Sequence, residues 1–442
     1  MPLVKSILLL FLFDIFVLAI LPIFLLDNIT FASAIIAGLN AVIGLSVFYL
    51  KGNYSIQKFN ISLKKVYLLF EGVLFVNILL GILMFFVADN PADYVMFLIK
   101  NIVLTFGMLL IGRLSVTFFH NSFLRDKKCL IIGTNQRAKD IAAEIRKTSG
   151  LKMQVFGFVQ EGVENYCSEN EKVFGNPKEI YPILNENNID VVIVTENSKY
   201  FLDIPKSVKI FKMTDLFEKI TRRYYVDKDN VNELFYYFQE HKSLFYDAAK
   251  RIFDVISAII ISVTTLPIML YIAIRVFFTD KHSPLYTQSR VTKNKKIFKA
   301  YKLRTMYIND YKPTSTNLEE AENQCNDNRV IPFCQFVRKA RFDEIPQMIN
   351  IIKGEMSIVG PRAEWNELVK VYEKEIPFHN CRHWVKTAWT GWAQINQGHC
   401  FSGDNEQIKL EYDLYYIKHR NLIWEIGILV KAVFMALGGR HG

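Results

Sequence analysis

The chain has only six cysteines in 442 residues, and no two of them form a C-x-x-C pair. Cys129, Cys167, Cys325, Cys334, Cys381 and Cys400 stand singly, which excludes a disulfide framework and reads as reduced cytosolic thiols. Zinc-finger spacing and helix-turn-helix signatures are missing as well. The formal net charge of +10 therefore finds no nucleic-acid motif to serve, and lipid headgroups or nucleotide diphosphates remain as anionic partners. Glycine is short where a dinucleotide site needs it. The turn Gly133-Thr-Asn-Gln-Arg-Ala138 keeps only the first glycine of the fingerprint, so the backbone cannot closely approach a pyrophosphate and no NAD is expected.

What is abundant is hydrocarbon. Apolar residues make up 51% of the chain, with 35 Phe, which points to membrane segments. The length predicts two or three folded units. Four apolar runs open the sequence, Ser6–Leu26, Ile29–Leu50, Val66–Ala88 and Tyr94–Phe119. Each is long enough to cross a hydrocarbon core of about 30 Å as a helix. The first lacks a small-residue cleavage site and is followed at once by another span, so it is not a removable signal. Lys51, Lys58, Lys64 and Lys65 separate runs two and three, and Arg125, Lys127 and Lys128 follow run four. The turns at 27–30 and 89–93 contain no Lys or Arg. Both ends of a four-helix transmembrane bundle over 1–121 are thus expected on the cytoplasmic side. Asp14, Glu71 and Arg113 fall inside it, where charges pair with one another, and a structural role is expected for them.

From residue 122 to about 225 short β patterns alternate with a helical one: Cys129-Leu-Ile-Ile-Gly133, Arg137–Thr148, Val155-Phe-Gly-Phe-Val159 and Val191-Val-Ile-Val194. This is the pattern of a degenerate Rossmann-like α/β domain with a parallel sheet, expected to act as a spacer or assembly module. Residues 226–249, rich in aromatics, read as a linker. A fifth apolar run follows, Ile252–Phe278, and it opens a domain expected over 250–442. Lys250 and Arg251 precede the run, while Arg275, Lys281 and Arg290 lie at or beyond its far end. Pro267 stands mid-run, where it removes a helical hydrogen bond. Basic flanks on both sides and a central break predict a re-entrant helix that enters and leaves on one face. Thr264 and Thr265 can serve the freed backbone.

The richest segment is Arg338-Lys-Ala-Arg-Phe-Asp-Glu-Ile-Pro-Gln. It puts Asp343 and Glu344 beside Arg338 and Arg341 and before Pro346, a residue suited to a first helical position. Carboxylates at a helix N-terminus stay ionised and can act as nucleophile or hold a divalent cation. Together with Tyr301-Lys-Leu-Arg-Thr-Met306, Gly360-Pro-Arg362, Thr390-Gly-Trp-Ala-Gln-Ile-Asn396 and Tyr412-Asp-Leu-Tyr-Tyr-Ile-Lys418, this segment resembles the signature of the monotopic phosphoglycosyl transferases. These are the polyprenyl-phosphate sugar-phosphate transferases that start bacterial glycan assembly. The resemblance runs from about Lys250 to the C-terminus.

It implies a membrane protein with a mainly α catalytic domain, seated on the cytoplasmic face of the bacterial inner membrane. The implied donor is a UDP-sugar and the implied acceptor a polyprenyl phosphate, with membrane lipids as surroundings and Mg²⁺ as cofactor. Asp343 would attack the phosphorus next to the sugar and expel UMP. Glu344 would assist the acceptor or, with Asp343, support the metal. Lys302, Arg304, Arg338, Arg341 and Arg362 are the implied phosphate contacts. Nine Lys/Arg and one acid, Asp310, between Lys281 and Lys312 suit both that role and a lipid-facing patch. Gln394 and Asn396 either shape the nucleotide pocket or hold a turn. Charge alone does not choose between the two carboxylates, and the family pattern selects Asp343. Ala363 replaces a family proline, Thr387-Ala388 replaces Pro-Gly, and Leu266 replaces the Ser before Pro267.

Two other readings compete. One is a nucleotide-sugar-modifying enzyme using the middle domain, which the missing glycines disfavour; the other is a non-catalytic scaffold, which the intact Asp343-Glu344 pair disfavours. His379 and His383 read as a packed pair rather than a zinc site. Leu422–Leu437, interrupted by Glu425 and Lys431, reads as an amphipathic helix. The sugar is not encoded in any visible pattern, and the oligomeric state is open, a homo-oligomer included.

Overall fold

The computed structural model describes residues 2–25, 91–123, 126–148, 151–160, 171–175, 180–194, 204–240, 244–307, 330–397 and 403–437, with scattered positions between 40 and 78. Most of the second and third expected spans, the loop lysines at 51, 58, 64 and 65, the turn at 27–30, Arg125, Asp310, Cys167, Cys325 and Cys400 lie outside the described residues. The chain divides into two compact units, Met1–Thr221 and Arg222–Gly442.

In the first unit, α1 (Pro2–Leu25) and α2 (Pro91–Phe123) are helices whose sequences leave no polar face. Met96–Phe119 is long and apolar enough to cross a membrane. Arg113 grips Asp14 with both guanidinium nitrogens at 2.7 and 2.8 Å, and Asn101 donates to Asn77 at 2.7 Å. Asp14 and Arg113 are buried, and buried charges survive by such pairing.

The α/β part follows. Strands β1 (Lys127–Ile132), β2 (Met153–Val159), β3 (Val173–Phe174), β4 (Val191–Val194) and β5 (Lys209–Lys212) form a parallel sheet in the order β3-β2-β1-β4-β5. α3 (Gln136–Lys147) crosses from β1 to β2. Asn135 caps it by accepting from the Ala138 N–H at 3.0 Å, and Ala138, Ile141, Ala142 and Ile145 form its buried face. Short helices α4 (Ile180–Glu186) and α5 (Met213–Thr221) complete this part.

The second unit begins earlier than the sequence pattern suggests. Residues 226–249, expected as a linker, contain α6 (Lys228–Glu240) and the first turns of α7 (Leu244–Asp280). Tyr224, Val231 and Leu234 are buried in the second unit's core, and the Arg222 carbonyl accepts from the Trp392 indole. Val231 and Leu234 supply the buried apolar area, with Phe238 packed against the same core, while Phe235, Tyr236, Tyr237 and Phe245 stay exposed.

α7 is one helical run that passes through Pro267 without a stop. The expected break is therefore not visible as an interruption. Proline deletes a single N–H, and one turn earlier the Thr264 and Thr265 hydroxyls donate to the Ile260 and Ile261 carbonyls. Both halves of this helix pack on the same unit. Ala258 belongs to the main core, with Met348, Ile351, Ile358, Leu414 and Ile428, while Ile272 and Val276 pack with Leu303, Cys334 and Val337. Phe342 and Met269 touch both clusters. The opposite side shows Ile252, Ile256, Ile260, Val263, Leu270 and Ile274 exposed.

An antiparallel hairpin, β6 (Leu285–Val291) and β7 (Ile297–Leu303), pairs Leu285 with Leu303 and Val291 with Ile297. Next come α8 (Cys334–Lys339), a 3-10 turn over Phe342–Gln347, and α9 (Met348–Lys353). β8 (Ser357–Val359) lies parallel to β9 (Ala388–Thr390), with α10 (Asn366–Glu375) and a second 3-10 turn (His379–Trp384) between them. α11 (Trp392–Gln397), α12 (Gly403–His419) and α13 (Leu422–Leu437) close the unit. Glu425 of α13 does not face outward as an amphipathic pattern implies. It is fully buried, accepting from Lys250 at 2.7 Å and from the Tyr416 hydroxyl at 2.8 Å.

Candidate active site

The Asp-Glu segment is positioned from three sides. Below it, α9 ends at Gly354, whose φ of +86° gives the left-handed cap that only glycine adopts without strain. Arg251 of α7 donates to the Ile351 and Ile352 carbonyls there, each at 2.6 Å, and so closes the helix end. Beside it, buried Asn350 ties α9 to the hairpin. Its Oδ1 accepts from the Tyr301 N–H at 3.0 Å, and its Nδ2 donates to the Lys299 carbonyl at 2.8 Å and to Glu355 at 2.7 Å. This fixes β7, which carries Lys302. Behind it, Asp254 of α7 accepts from the Ser357 hydroxyl at 2.9 Å and from the Ile358 N–H at 3.0 Å, holding β8 to the helix.

Asp343 and Glu344 do not stand at the start of an α-helix led by Pro346. Arg341 takes a left-handed conformation (φ +57°), and the carboxylates follow at once in the 3-10 turn, with Pro346 inside it and α9 starting only at Met348. Local charge therefore governs them, since a six-residue helix brings little dipole. Glu344 is 6% exposed, and its Oε1 meets Lys302 Nζ at 3.2 Å and Arg362 Nη2 at 3.0 Å. Arg290, Lys302, Arg362, Glu344, Gln347, Ala300, Ala363 and Ala388 line a small open cleft. Three cations thus face one carboxylate there, which leaves the cleft ready for an anion.

The two carboxylates are driven apart in acidity. Burial and the adjoining Glu344 push Asp343 up to about 6. Burial also opposes charge on Glu344, but Arg362, Lys302 and Arg341 outweigh it and hold the group well below its ordinary value. Burial lowers Lys302, with Glu344 acting against it, and lowers Arg290, where Arg362 adds like-charge repulsion. The acidities are thus separated: the cations around Glu344 favour its ionised form, whereas burial and Glu344 disfavour the anion of Asp343.

The remaining expected residues are distributed as follows. Arg362 and Lys302 converge on Glu344, and the charges of Arg338 and Arg341 act on Asp343 and Glu344, respectively. Arg304 points elsewhere, donating to the Ser283, His282 and Met306 carbonyls at 2.8 to 3.1 Å. Gln394 donates to the Trp389 carbonyl at 3.4 Å and Asn396 to the Trp392 carbonyl at 2.7 Å, and neither lines the cleft. Gly360 and Gly391 show why the two motifs carry glycine. A Cβ on Gly391 would lie 2.0 Å from the Gly360 carbonyl oxygen, so the loops cross in backbone contact.

Residues the sequence reading missed include Arg290, Asn350 and Arg382. Arg290 donates to the Ala363 carbonyl at 2.7 Å, and Arg382 donates to the Arg362 carbonyl at 3.3 Å. The loop that lost the family proline at 363 is thus held by two arginines. Arg382 is 1% exposed and also meets Asp413 at 2.7 Å and Glu406 at 3.2 Å. Lys409 bridges Glu364 at 2.8 Å and Glu406 at 3.0 Å. His379 joins this network through Glu406 at 3.6 Å, and burial holds neighbouring His383 down to about 3. The signal for Arg382 was its place between the two histidines.

With this geometry in hand, comparison with known proteins is decisive for the family. The family model described as "bacterial sugar transferase" matches residues 245–439, and a model described as "CoA-binding domain" matches residues 50–219. A Bacillus subtilis (strain 168) protein, provisionally named an undecaprenyl-phosphate N-acetylgalactosaminyl 1-phosphate transferase, is 34% identical over 34% of this chain and 80% of its own length. The chain belongs to the bacterial sugar transferase family. Another similar member is a UDP-N-acetylgalactosamine-undecaprenyl-phosphate N-acetylgalactosaminephosphotransferase of Aeromonas hydrophila, 32% identical over 52% of this chain and 53% of that protein. The match thus spans about half the length of that relative. A UDP-glucose:undecaprenyl-phosphate glucose-1-phosphate transferase of Xanthomonas campestris pv. campestris is 27% identical over 71% of this chain and 67% of its own. The sugar transferase match begins at the first turn of α7, inside the second unit, so the cleft of Glu344 lies wholly within the shared region.

Proposed function

We propose that this bacterial sugar transferase moves a sugar 1-phosphate from a UDP-sugar to polyprenyl (undecaprenyl) phosphate and releases UMP. This would be the initiating membrane step of exopolysaccharide, capsule or O-antigen-type glycan synthesis. The observation that carries the reading is the Asp343-Glu344 pair, split in acidity, whose Glu344 lines a cleft with three cations. A carboxylate oxygen of Asp343 attacks the phosphorus next to the sugar; the new O–P bond forms as the P–O bond to UMP breaks, and UMP takes the electron pair. The acceptor's phosphate oxygen then attacks the same phosphorus, and the carboxylate of Asp343 leaves unchanged. Lys302 and Arg362, ordered by Glu344, offset the charge that builds on the phosphoryl oxygens. Arg290 holds the backbone that aims Arg362.

Mg²⁺ suits this donor set in one respect. Such an ion takes one or two carboxylates and completes its shell with substrate phosphates and water. Asp343 and Glu344 would hold it, and it would supply charge neutralisation at the transferred phosphoryl group. Among the described residues no larger acidic or histidine cluster competes.

The catalytic unit is read as lying on the cytoplasmic face of a multi-pass protein, with α7 re-entrant. Support comes from α7 itself: both of its halves dock on one unit while the opposite side stays apolar and exposed. A screen of UDP-sugars for UMP release, with undecaprenyl phosphate in membranes, tests the reaction. Release with one donor, lost in Asp343→Asn, is the expected result; no release with any donor in a folded protein would overturn it.

A further inference from the structure

At the start of α7, outside the lining of the cleft of Glu344, the structure holds a cation with no ion pair. Lys386, just before β9, is half-buried, and among the described residues it has no hydrogen bond or ion pair. Its charged neighbours are Arg251, Lys293 and Lys250, against one carboxylate, Asp254. That carboxylate is already committed to Ser357, to the Ile358 N–H and to Lys250 at 3.2 Å. The space is bounded by bare backbone. A Cβ on Gly354 would lie 3.6 Å from Arg251 Nη2 and 3.7 Å from Lys386 Nζ, so both cationic groups overhang the same glycine. Burial and these like charges depress the Lys386 pKa. An ammonium withdrawn from water without a partner is costly, and an arriving anion removes that cost. Exposed apolar side chains adjoin these cations along the chain: Ile252 and Ile256 of α7 follow Arg251, and Ile349 and Ile352 of α9 precede Gly354.

We propose that Lys386 and Arg251, over Gly354, bind the phosphate of a membrane lipid whose hydrocarbon lies along those isoleucines. Cations and adjoining hydrocarbon match the two ends of an amphiphile, and neither end suits a free sugar or a nucleoside. Two lipids share this chemistry: a bulk anionic phospholipid, and the polyprenyl phosphate taken above as acceptor. The phospholipid case stands whether or not the transferase reading is correct.

The test is thermal unfolding of the full-length protein, stripped of lipid in detergent and titrated with phosphatidylglycerol or undecaprenyl phosphate. Wild type should gain several degrees in Tm, saturably, with at least one of them, and that one identifies the source. Lys386→Gln should have a higher lipid-free Tm than wild type, because it removes the unpaired charge, and should lose most of the lipid-dependent gain. Lys386→Arg should keep the gain. Equal responses of wild type and Lys386→Gln to both lipids would overturn the proposal. So would a lower lipid-free Tm in Lys386→Gln, which would mean that the ammonium serves the protein itself. UMP release is not a readout here, so failure of the transferase reading leaves this result standing.

Discussion

Asp343 and Glu344 are chemically near-equivalent neighbours in sequence and opposites in the fold. Glu344 has a folded pKa below its unfolded value, so its ionised form contributes stability that is present above about 4.5 and lost as pH falls. Asp343 is raised to about 6, so its charge costs stability, and that cost appears as pH rises through 6. Two substitutions of the same kind should therefore move Tm in opposite directions at pH 7.5. Asp343→Asn should abolish transfer and raise Tm; Glu344→Gln should lower Tm, because Lys302 and Arg362 lose their shared anion. Differential scanning of the two variants checks this, and a drop in both would show that Asp343 is not strained by its charge. The rate of phosphosugar adduct formation, followed by mass spectrometry without acceptor, should fall about tenfold per pH unit below about 6. An adduct on Glu344 would reverse the assignment of roles. Much of this was legible in advance: the carboxylate pair stood out between two arginines and a proline, and Lys302 and Arg362 were marked by the family resemblance. Arg290 and Asn350 were not, because a strand arginine and a helix asparagine look like ordinary surface residues until the hairpin folds over α9. Arg304 was legible as a motif residue, but two of its three carbonyl partners lie in the turn at 282–284, which no pattern announces.

Among elements, the crossing of the Gly360 and Gly391 loops and the ionic hub at Arg382 are what hold Arg362 in place. Gly391→Ala must push one loop off the other and should cost about 3 kcal/mol, with transfer falling along with Tm. Arg382→Leu leaves Asp413 without its cation, and Glu364 and Glu406 with Lys409 alone, in a buried space, and should cost about 3–5 kcal/mol. Urea unfolding of each variant measures both losses, and a cost under about 1 kcal/mol at Arg382 would show that water reaches the network. The α/β sheet could be read in advance strand by strand, since β1, β2 and β4 are apolar runs of the right length between turns. The edges β3 and β5 could not: two and four residues long, they are strands only because a neighbour offers its free backbone. The linker at 226–249 was misjudged for a related reason: Val231 and Leu234 are what it buries, and the pattern does not say against what.

For the whole molecule, the decisive question is which side of the membrane the ends of α7 occupy. With both halves docked on one unit, Lys250 and Lys281 should be on the same, cytoplasmic side. A single engineered cysteine at position 281 should resist an impermeant external reagent in intact cells, and labelling there would end the re-entrant reading. The docking of both halves of this helix on its own unit was not visible in hydropathy, because a window average cannot separate an apolar side that meets protein from one that does not.

That docking also sets an order of events during synthesis. Arg251 reaches its carbonyls 100 residues downstream, Asp254 reaches Ser357 103 residues downstream, and Lys250 reaches Glu425 175 residues downstream. When α7 leaves the ribosome, none of these partners exists, so the helix meets the bilayer while its charged anchors are still unmet. Lys250 of α7 therefore waits for Glu425 of α13, which is made 175 residues later. A nascent chain halted before Glu425 would carry Lys250 without its main partner, and quality-control proteases would meet it as an unfinished protein already seated in the membrane.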